Sequence, residues 1–340
     1  MPLTLPRNAQ LWLSGYVRNR LASRPVAPGG RVWLAIADHW EPYWTRPSDT
    51  VAAERVALWS KHWPEIARRH ADSTGRAPQY TFYYPQEEYR APFLDALAEI
   101  KRLGFGDVDI HIHHDGEGQQ NFVDRMSGFI ETLVGRHGLL RTSGGRPVFG
   151  FIHGNWALDN SRPDGRCCGL NNEITLLRDL GCYADFTMPS CSSPTQARTV
   201  NAIYWAVDDP ERPRSYDYGT VVKRGALGSG DLLMIPGPLG LRWAERLSPR
   251  METGELAGYD LPSAYRVKRW LDLAPRIGND IFVKLFSHGT QERNSSALLL
   301  QGGFDSLFSL MEEGCRERGH DLRYVSTWEM RQAVDAAAGG

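Results

Sequence analysis

The chain has 340 residues, and its 39 lysines and arginines nearly cancel its 40 aspartates and glutamates. Balanced charge gives no global attraction to nucleic acid or to an anionic membrane, and the length suits one large or two ordinary α/β domains. Five cysteines, odd in number and without CxxC spacing, argue against a disulfide framework or a structural zinc module.

The first 20 residues contain no uninterrupted apolar stretch, so we expect neither a signal peptide nor a membrane helix. Together with the cysteine usage, which indicates reduced thiols, this predicts a cytoplasmic protein without membrane insertion and without a nucleic-acid partner. The oligomeric state is left open.

Apolar runs of strand length alternate with helical patterns from residue 31 onwards. The predicted strands are 32–37, 80–84, 108–113, 148–153, 183–188, 232–235, 281–286 and 322–327, and the predicted helices include 93–103, 122–134, 172–180, 265–273, 304–315 and 329–337. This alternation indicates βα units and a mainly parallel sheet. We expect an irregular (β/α) barrel of about seven strands, with its chemistry at the carboxyl ends of the strands.

The predicted barrel occupies residues 31–335 as a single domain, after an N-terminal extension of residues 1–30. Residues 190–230 break the βα rhythm and contain the runs 208–213 and 225–230. We interpret this stretch as an irregular insertion or long active-site loop rather than a second domain.

Three histidines and two carboxylates follow one another at the end of the third predicted strand. With a strand's period of two, the apolar residues 108, 110 and 112 share one face, and Asp109, His111 and His113 share the other. Imidazole and carboxylate are preferred ligands of zinc and related ions, so this face predicts a metal site. His114 should point the other way. The alternative to a metal site is that this run is simply an exposed, polar strand end.

Other predicted strands also end in polar groups. After the first strand, Asp38 and His39 are candidate metal ligands or, for Asp38, a general base, although a helix-capping loop is the alternative. His288 closes the seventh strand and is a candidate general acid, because its ordinary pKa lies near neutrality. The candidate substrate-binding residues are Trp40, Glu41, Asp115, Glu117, His153, Asn155 and Trp156.

Several other motifs are weak on inspection. Cys167 and Cys168 are adjacent, so their side chains should diverge rather than chelate one ion. The glycine run at 225–230 lacks the strand, helix and lysine of a phosphate loop, and no GxSxG element is present.

The order of these segments resembles the polysaccharide deacetylases of the NodB-homology type, which are metal-dependent carbohydrate esterases. The segment 80–84 resembles the family's Thr-Phe-Phe strand, and residues 94–106 with the histidine strand resemble its helix, glycine turn and metal-binding motif. Residues 283–288 are similar to the closing Leu-x-His element, and 322–327 resemble the last strand.

The sequence differs from the family pattern at three places. Ile36-Ala37-Asp38-His39 replaces Thr-Phe-Asp-Asp, and the positions four after His111 and His113 are Asp115 and Glu117 rather than histidine. His153-Gly154-Asn155-Trp156 replaces the arginine-proline-tyrosine element. The resemblance implies a divergent member with a reorganised metal shell.

The resemblance implies a metal-dependent hydrolase that removes an acyl group, above all N-acetyl, from a carbohydrate in a bacterial glycan. It implies a divalent ion, zinc in the first place. From the shared strand face we predict that His111 and His113 bind this ion together with Asp38 or His39, with Asp115 and Glu117 as reserve ligands. Asp38 would be the base and His288 the acid. A non-catalytic glycan-binding barrel and a glycoside hydrolase, with carboxylates among Asp38, Glu41 and Glu117, are the alternatives.

Overall fold

The computed structural model describes residues 5–22, 25–244 and 248–339. Its described helices are α1 Ala9–Ala22, α2 Asp49–Ala67, α3 Ala91–Arg102, α4 Gln119–Gly135, α5 Glu173–Leu180, α6 Ala264–Leu273, α7 Glu292–Ser295, α8 Gly303–Glu317 and α9 Thr327–Gly339. Its described strands are β1 Arg31–His39, β2 Tyr80–Pro85, β3 Gly106–Ile112, β4 Arg141–Ser143, β5 Arg146–His153, β6 Cys182–Asp185, β7 Tyr204–Ala206, β8 Thr220–Val221, β9 Leu232–Met234, β10 Gly240–Ala244, β11 Ser248–Glu252, β12 Glu255–Leu256, β13 Arg276–Ile277, β14 Asp280–Ser287 and β15 Asp321–Tyr324.

A single mostly parallel sheet organises the molecule. Its main path runs β12-β14-β1-β2-β3-β5-β6-β9-β7-β8, while β15 also pairs with β1 and the short strands β13 and β4 pair with β14 and β5. Along this path, each pair of adjacent strands from β14 to β9 is parallel. A separate antiparallel hairpin is formed by β10 and β11.

The two faces of the sheet pack against different helices. Val108, Ile110 and Ile112 of β3 lie in the larger core with apolar residues of α2, α3, α4 and α8. Ala35 and Ala37 of β1 face the opposite side, in a core that includes residues of α9. Because successive strand side chains alternate between faces, the apolar period-two pattern of β3 selects which face meets the helices.

Local sequence accounts for the start of α2. Ser48 caps this helix by accepting a hydrogen bond from the Val51 amide at 3.4 Å, and Asp49 in the first turn suits the positive end of the helix dipole. The stripe of Val56, Trp59 and Trp63 is buried, as the sequence pattern requires. Pro64 lies inside this helix, and α2 continues through it to Ala67.

The predicted α/β class and the alternation of strands and helices are confirmed, with element ends shifted by a few residues. At 322–327, for example, β15 ends at Tyr324 and α9 begins at Thr327. Within 190–230 the structure has only the short strands β7 and β8 and a single turn of 3₁₀ helix at 215–217, so this stretch is as irregular as expected.

Helix α1 packs on the irregular segment rather than lying apart from it. Trp12 is buried with Val200 and Leu239 in a small separate cluster. A Cβ on Gly15 would lie 3.4 Å from a methyl group of Val200, which shows how closely the two segments approach. None of the described helices is both long enough and apolar enough to cross a membrane.

Candidate metal centre

The carboxyl ends of five adjacent strands, β14, β1, β2, β3 and β5, meet at one edge of the sheet. The register places Asp38 of β1 beside Ser287 of β14, and Pro85 of β2 beside His111 of β3. On the next pair, Ile112 of β3 lies beside His153 of β5. Parallel strands in register bring the residues that follow them together, so sequence-distant polar groups share this edge.

His39, Glu41 and His111 form a compact buried group at this edge. Each offers a ligand atom within 4.8 Å of the others, and the three residues are at most 4% exposed. Among the described residues, no hydrogen-bond partner exists for His39 Nδ1 or for Glu41 Oε2, although both atoms are buried. Such orphaned polar atoms are costly unless an ion or water completes them.

The orientation of His111 suits ligand binding. Its Nδ1–H donates to the backbone carbonyl of Ile152 at 3.0 Å, so a metal ion would be bound through Nε2. This Nε2 faces Glu41 Oε1 at 3.2 Å. A histidine ligand typically donates its other ring N–H to a carbonyl or carboxylate in this way.

His113 lies on the same strand face and joins the group from the solvent side. Its Nε2 is 3.2 Å from Glu41 Oε1, its Nδ1 is hydrogen-bonded to Glu87, and its side chain is 32% exposed. Burial lowers its pKa, but the bonds to Glu41 and Glu87 outweigh burial and raise the pKa to about 10. Burial raises the pKa of Glu41, but the hydrogen bonds that Glu41 makes with His111 and His113 outweigh burial and hold this pKa well below its usual range.

His288 and Trp156 complete the edge. The His288 ring stacks on His39 with centroids 4.6 Å apart, and Trp156 lies 5.2 Å from His39 and 5.5 Å from His288. Burial lowers the pKa of His288, and burial followed by the nearby His288 lowers the pKa of His39 well below its ordinary value. Both rings are therefore neutral near pH 7 and have lone pairs to offer.

Two predicted site residues lie on the other face of β1. Asp38 accepts a hydrogen bond from the Gly289 amide at 2.8 Å, and a Cβ built on Gly289 would lie between Asp38 and Trp59. Trp40 packs edge-on against Trp59, with centroids 5.0 Å apart. Because Asp38 neighbours His39 on the strand, it points away from the His39 group. We therefore withdraw Asp38 from the metal shell and Trp40 from the substrate surface.

The predicted reserve ligands are held by other partners. Asp115 accepts from the Cys167 amide at 2.7 Å, and Glu117 is paired with Arg125 at 2.9 Å. The Asn155 amide donates to His153 Nδ1 at 3.2 Å, which places its backbone beside this histidine. Neither Asp115 nor Glu117 belongs to the His39 group.

A second buried group lies beyond the strand ends. His114, His153, Cys168 and Glu173 offer ligand atoms within 4.8 Å of one another. His114 points away from His111 and His113, as predicted. The sequence did not indicate that His114 belongs to this second group. His153, expected to contact substrate, lies here too, and burial lowers its pKa to about 3. Burial raises the Glu173 pKa, but the facing His153 and His114 outweigh it and lower the value to about 2.

Three participants were not found from the sequence. Glu87 follows β2 and could have been found by the rule that polar groups after strands meet at one edge. Cys168 was set aside because it adjoins Cys167, and the structure places only Cys168 in a ligand group. Glu173 begins α5, and nothing in its local sequence marks it as different from an ordinary residue of a first helical turn.

No family model matches this sequence, and no curated protein matches it. The resemblance to deacetylases therefore stays a prediction, and the geometry of the site must carry the functional argument.

The donor set fits a divalent ion. Two imidazoles and one carboxylate are the protein ligands of several catalytic zinc sites and of non-haem iron sites, in which further positions stay open. The orphaned buried atoms of His39 and Glu41 and the oriented Nε2 of His111 are what such an ion would complete.

Proposed function

We propose that this protein is a metal-dependent hydrolase that removes an acyl group, above all N-acetyl, from a carbohydrate. The carrying observation is the buried His39–Glu41–His111 group with His113 and His288 at the same sheet edge. Closure of the sheet into a (β/α) barrel and divergence from the NodB-type deacetylases belong to the same proposal.

His39, Glu41 and His111 would hold the metal, with His113 outside the ligand set. When bound, a divalent ion polarises a carbonyl and lowers the pKa of a water ligand. We assign the proton transfers to the two flanking histidines, whose surroundings differ. His113, backed by Glu87, keeps a proton that it can donate to a departing amine.

His288 stays at the site as predicted, but its role is revised from acid to base. Among the described residues no carboxylate forms an ion pair with its ring within 4.0 Å, and burial favours the neutral form that accepts a proton. Asp38, the base that the resemblance implies, faces Trp59 and Gly289 instead. Trp156, Phe286 and Trp44 border His288 and provide aromatic surface for a sugar ring.

The glycoside hydrolase alternative requires a pair of carboxylates at one site. Of the three carboxylates predicted for it, Asp38 lies on the helix-facing side, Glu117 is held by Arg125, and only Glu41 lies at the metal group. The further carboxylate at this edge, Glu87, is hydrogen-bonded to His113. The structure therefore favours hydrolysis of an acyl group over that alternative.

Acetate release from a panel of N-acetylated and O-acetylated sugars tests the proposal. We expect release by the metal-loaded protein, loss with a chelator and recovery on adding zinc or cobalt. Sugar binding without release across the panel would support the glycan-binding alternative, and chelator-insensitive release would contradict the metal mechanism.

A further inference from the structure

The second buried group is separate from the proposed hydrolase site and has a different composition. Its residues come from four segments: His114 after β3, His153 at the end of β5, Cys168 in the following loop and Glu173 at the start of α5. All four are at most 5% exposed. A cysteine, a glutamate and two histidines buried together are rare outside metal sites and hydrogen-bond networks.

We propose that His114, Cys168 and Glu173 bind a second divalent metal ion, of the zinc type, independently of the His39 group. A zinc-type ion accepts sulfur, nitrogen and oxygen ligands. One thiolate, one carboxylate and a neutral imidazole would together offset a 2+ charge, which suits a fully buried site because no net charge remains.

The Cys168 sulfur is surrounded as a thiolate ligand would be. It accepts backbone N–H groups from Asn160 at 3.2 Å and from Leu170 at 3.4 Å. The Leu170 bond closes a tight turn over Gly169, whose φ is +104°, so the chain wraps around the sulfur. Glu173 Oε2 lies 3.4 Å from the same sulfur. Two acceptor groups this close need a proton or a cation between them.

His114 is oriented to complete the ligand set. Its Nδ1 lies 3.5 Å from Glu117 Oε2, and its Nε2 lies 3.0 Å from Glu173 Oε1. The Nε2 contact with Glu173 is a hydrogen bond, and the buried Nδ1 has no hydrogen-bond partner among the described residues. A metal ion between Nε2 and Glu173 would replace that bond, with the proton then on Nδ1, on the side of Glu117. Carboxylate, histidine and metal often follow one another in this way.

His153 has a different role in this site. Its Nδ1 accepts the amides of Asn155 and Ala157, at 3.2 and 3.3 Å, so the neutral ring carries its proton on Nε2. That Nε2 is buried without a hydrogen-bond partner among the described residues and lies 3.8 Å from Glu173 Oε1. With its proton on Nε2, the ring offers this group no lone pair, so His153 lines the site and is not one of its ligands.

Cobalt separates the two sites, because only the second contains sulfur. Cobalt-loaded protein should bind about two equivalents and show the near-ultraviolet absorption of a cobalt–thiolate bond. Cys168→Ser should lose that absorption and about one equivalent, whereas the adjacent control Cys167→Ser should keep both.

His111→Ala should keep the thiolate absorption while losing the other equivalent, so failure of the proposed hydrolase site and failure of this site are distinguishable. This variant also tests the second site if Cys168→Ser does not fold. Cobalt-loaded parent or His111→Ala protein without the thiolate absorption would overturn the proposal in favour of a metal-free hydrogen-bond network. So would Cys168→Ser protein that binds as much cobalt as the parent.

Discussion

Neighbouring residues of β1 have opposite environments, and this decides which one belongs to the metal centre. His39 faces His111 and His288, whereas Asp38 faces Gly289 and Trp59. The sequence indicates that a polar pair ends this strand. It does not indicate which of the two side chains faces the metal group, because residues 32–37 are all apolar and, apart from the half-buried Trp33, all buried, so they show no alternation.

Asp38→Asn should therefore keep the metal and change the pH dependence of stability. Burial raises the Asp38 pKa from 3.8 to about 8, although the hydrogen bond from the Gly289 amide and the nearby Tyr80 hydroxyl partly oppose it. The native state then holds a proton that the unfolded state releases, so this contribution to stability is full below the unfolded pKa and is lost as pH rises to about 8. Asparagine cannot titrate, so the variant lacks this loss. The free energy of unfolding of the variant minus that of the parent should therefore increase as pH rises from about 5 to about 8.

Denaturant unfolding at the two pH values, with metal analysis of the same samples, measures both effects. A stability difference that is independent of pH would refute the raised pKa. Loss of metal by Asp38→Asn would return this residue to the ligand set.

His111→Ala should weaken binding at the His39 group by more than about 100-fold, because even outer-shell partners of metal ligands contribute roughly 10- to 100-fold. Competition with a chromophoric chelator measures the affinity. His62→Ala is the matched control, since His62 lies on α2 and pairs with Glu65 at 3.4 Å. Equal affinities in the two variants would remove His111 from the ligand set.

At the scale of elements, the turn after β5 holds His113 in place. A Cβ on Gly154 would lie 2.6 Å from Cγ and 2.7 Å from Nε2 of His113, so alanine must push this ring away. We expect Gly154→Ala to retain metal but to lower turnover on the order of 100-fold, since a displacement of about 1 Å can cost that much.

Gly128→Ala is the control for this change, because a Cβ there meets nothing within 4 Å. Steady-state kinetics on a deacetylation substrate, with metal content determined in parallel, gives the result. Turnover of Gly154→Ala equal to that of Gly128→Ala would show that the position of His113 does not matter.

How well each part of the site could be predicted depends on whether a local sequence pattern determines it. The alternation in β3 correctly predicted that His111 and His113 share a face and that His114 faces away. This alternation did not predict the partners of His114. Cys168 and Glu173 are brought to His114 by the loop before α5 and by the packing of that helix, which a strand pattern does not describe. Strand faces are local properties, whereas a four-segment cluster depends on tertiary structure.

At the scale of the molecule, helix α1 packs against the later part of the chain through Trp12. Trp12→Ala should lower the free energy of unfolding by on the order of 3 kcal/mol, because it removes a buried indole from between Val200 and Leu239. Leu21→Ala is the control, since Leu21 is 83% exposed. Chemical denaturation compares them, and equal stabilities would mean that α1 contributes nothing to the domain.

The central claim is that His39, Glu41 and His111 hold a metal ion at the carboxyl edge of the sheet. Anomalous diffraction at the zinc edge from crystals of zinc-loaded protein tests it most directly. The account predicts a peak about 2.0–2.2 Å from a nitrogen of His39, an oxygen of Glu41 and Nε2 of His111. Zinc-loaded crystals with no peak among these three residues would contradict it.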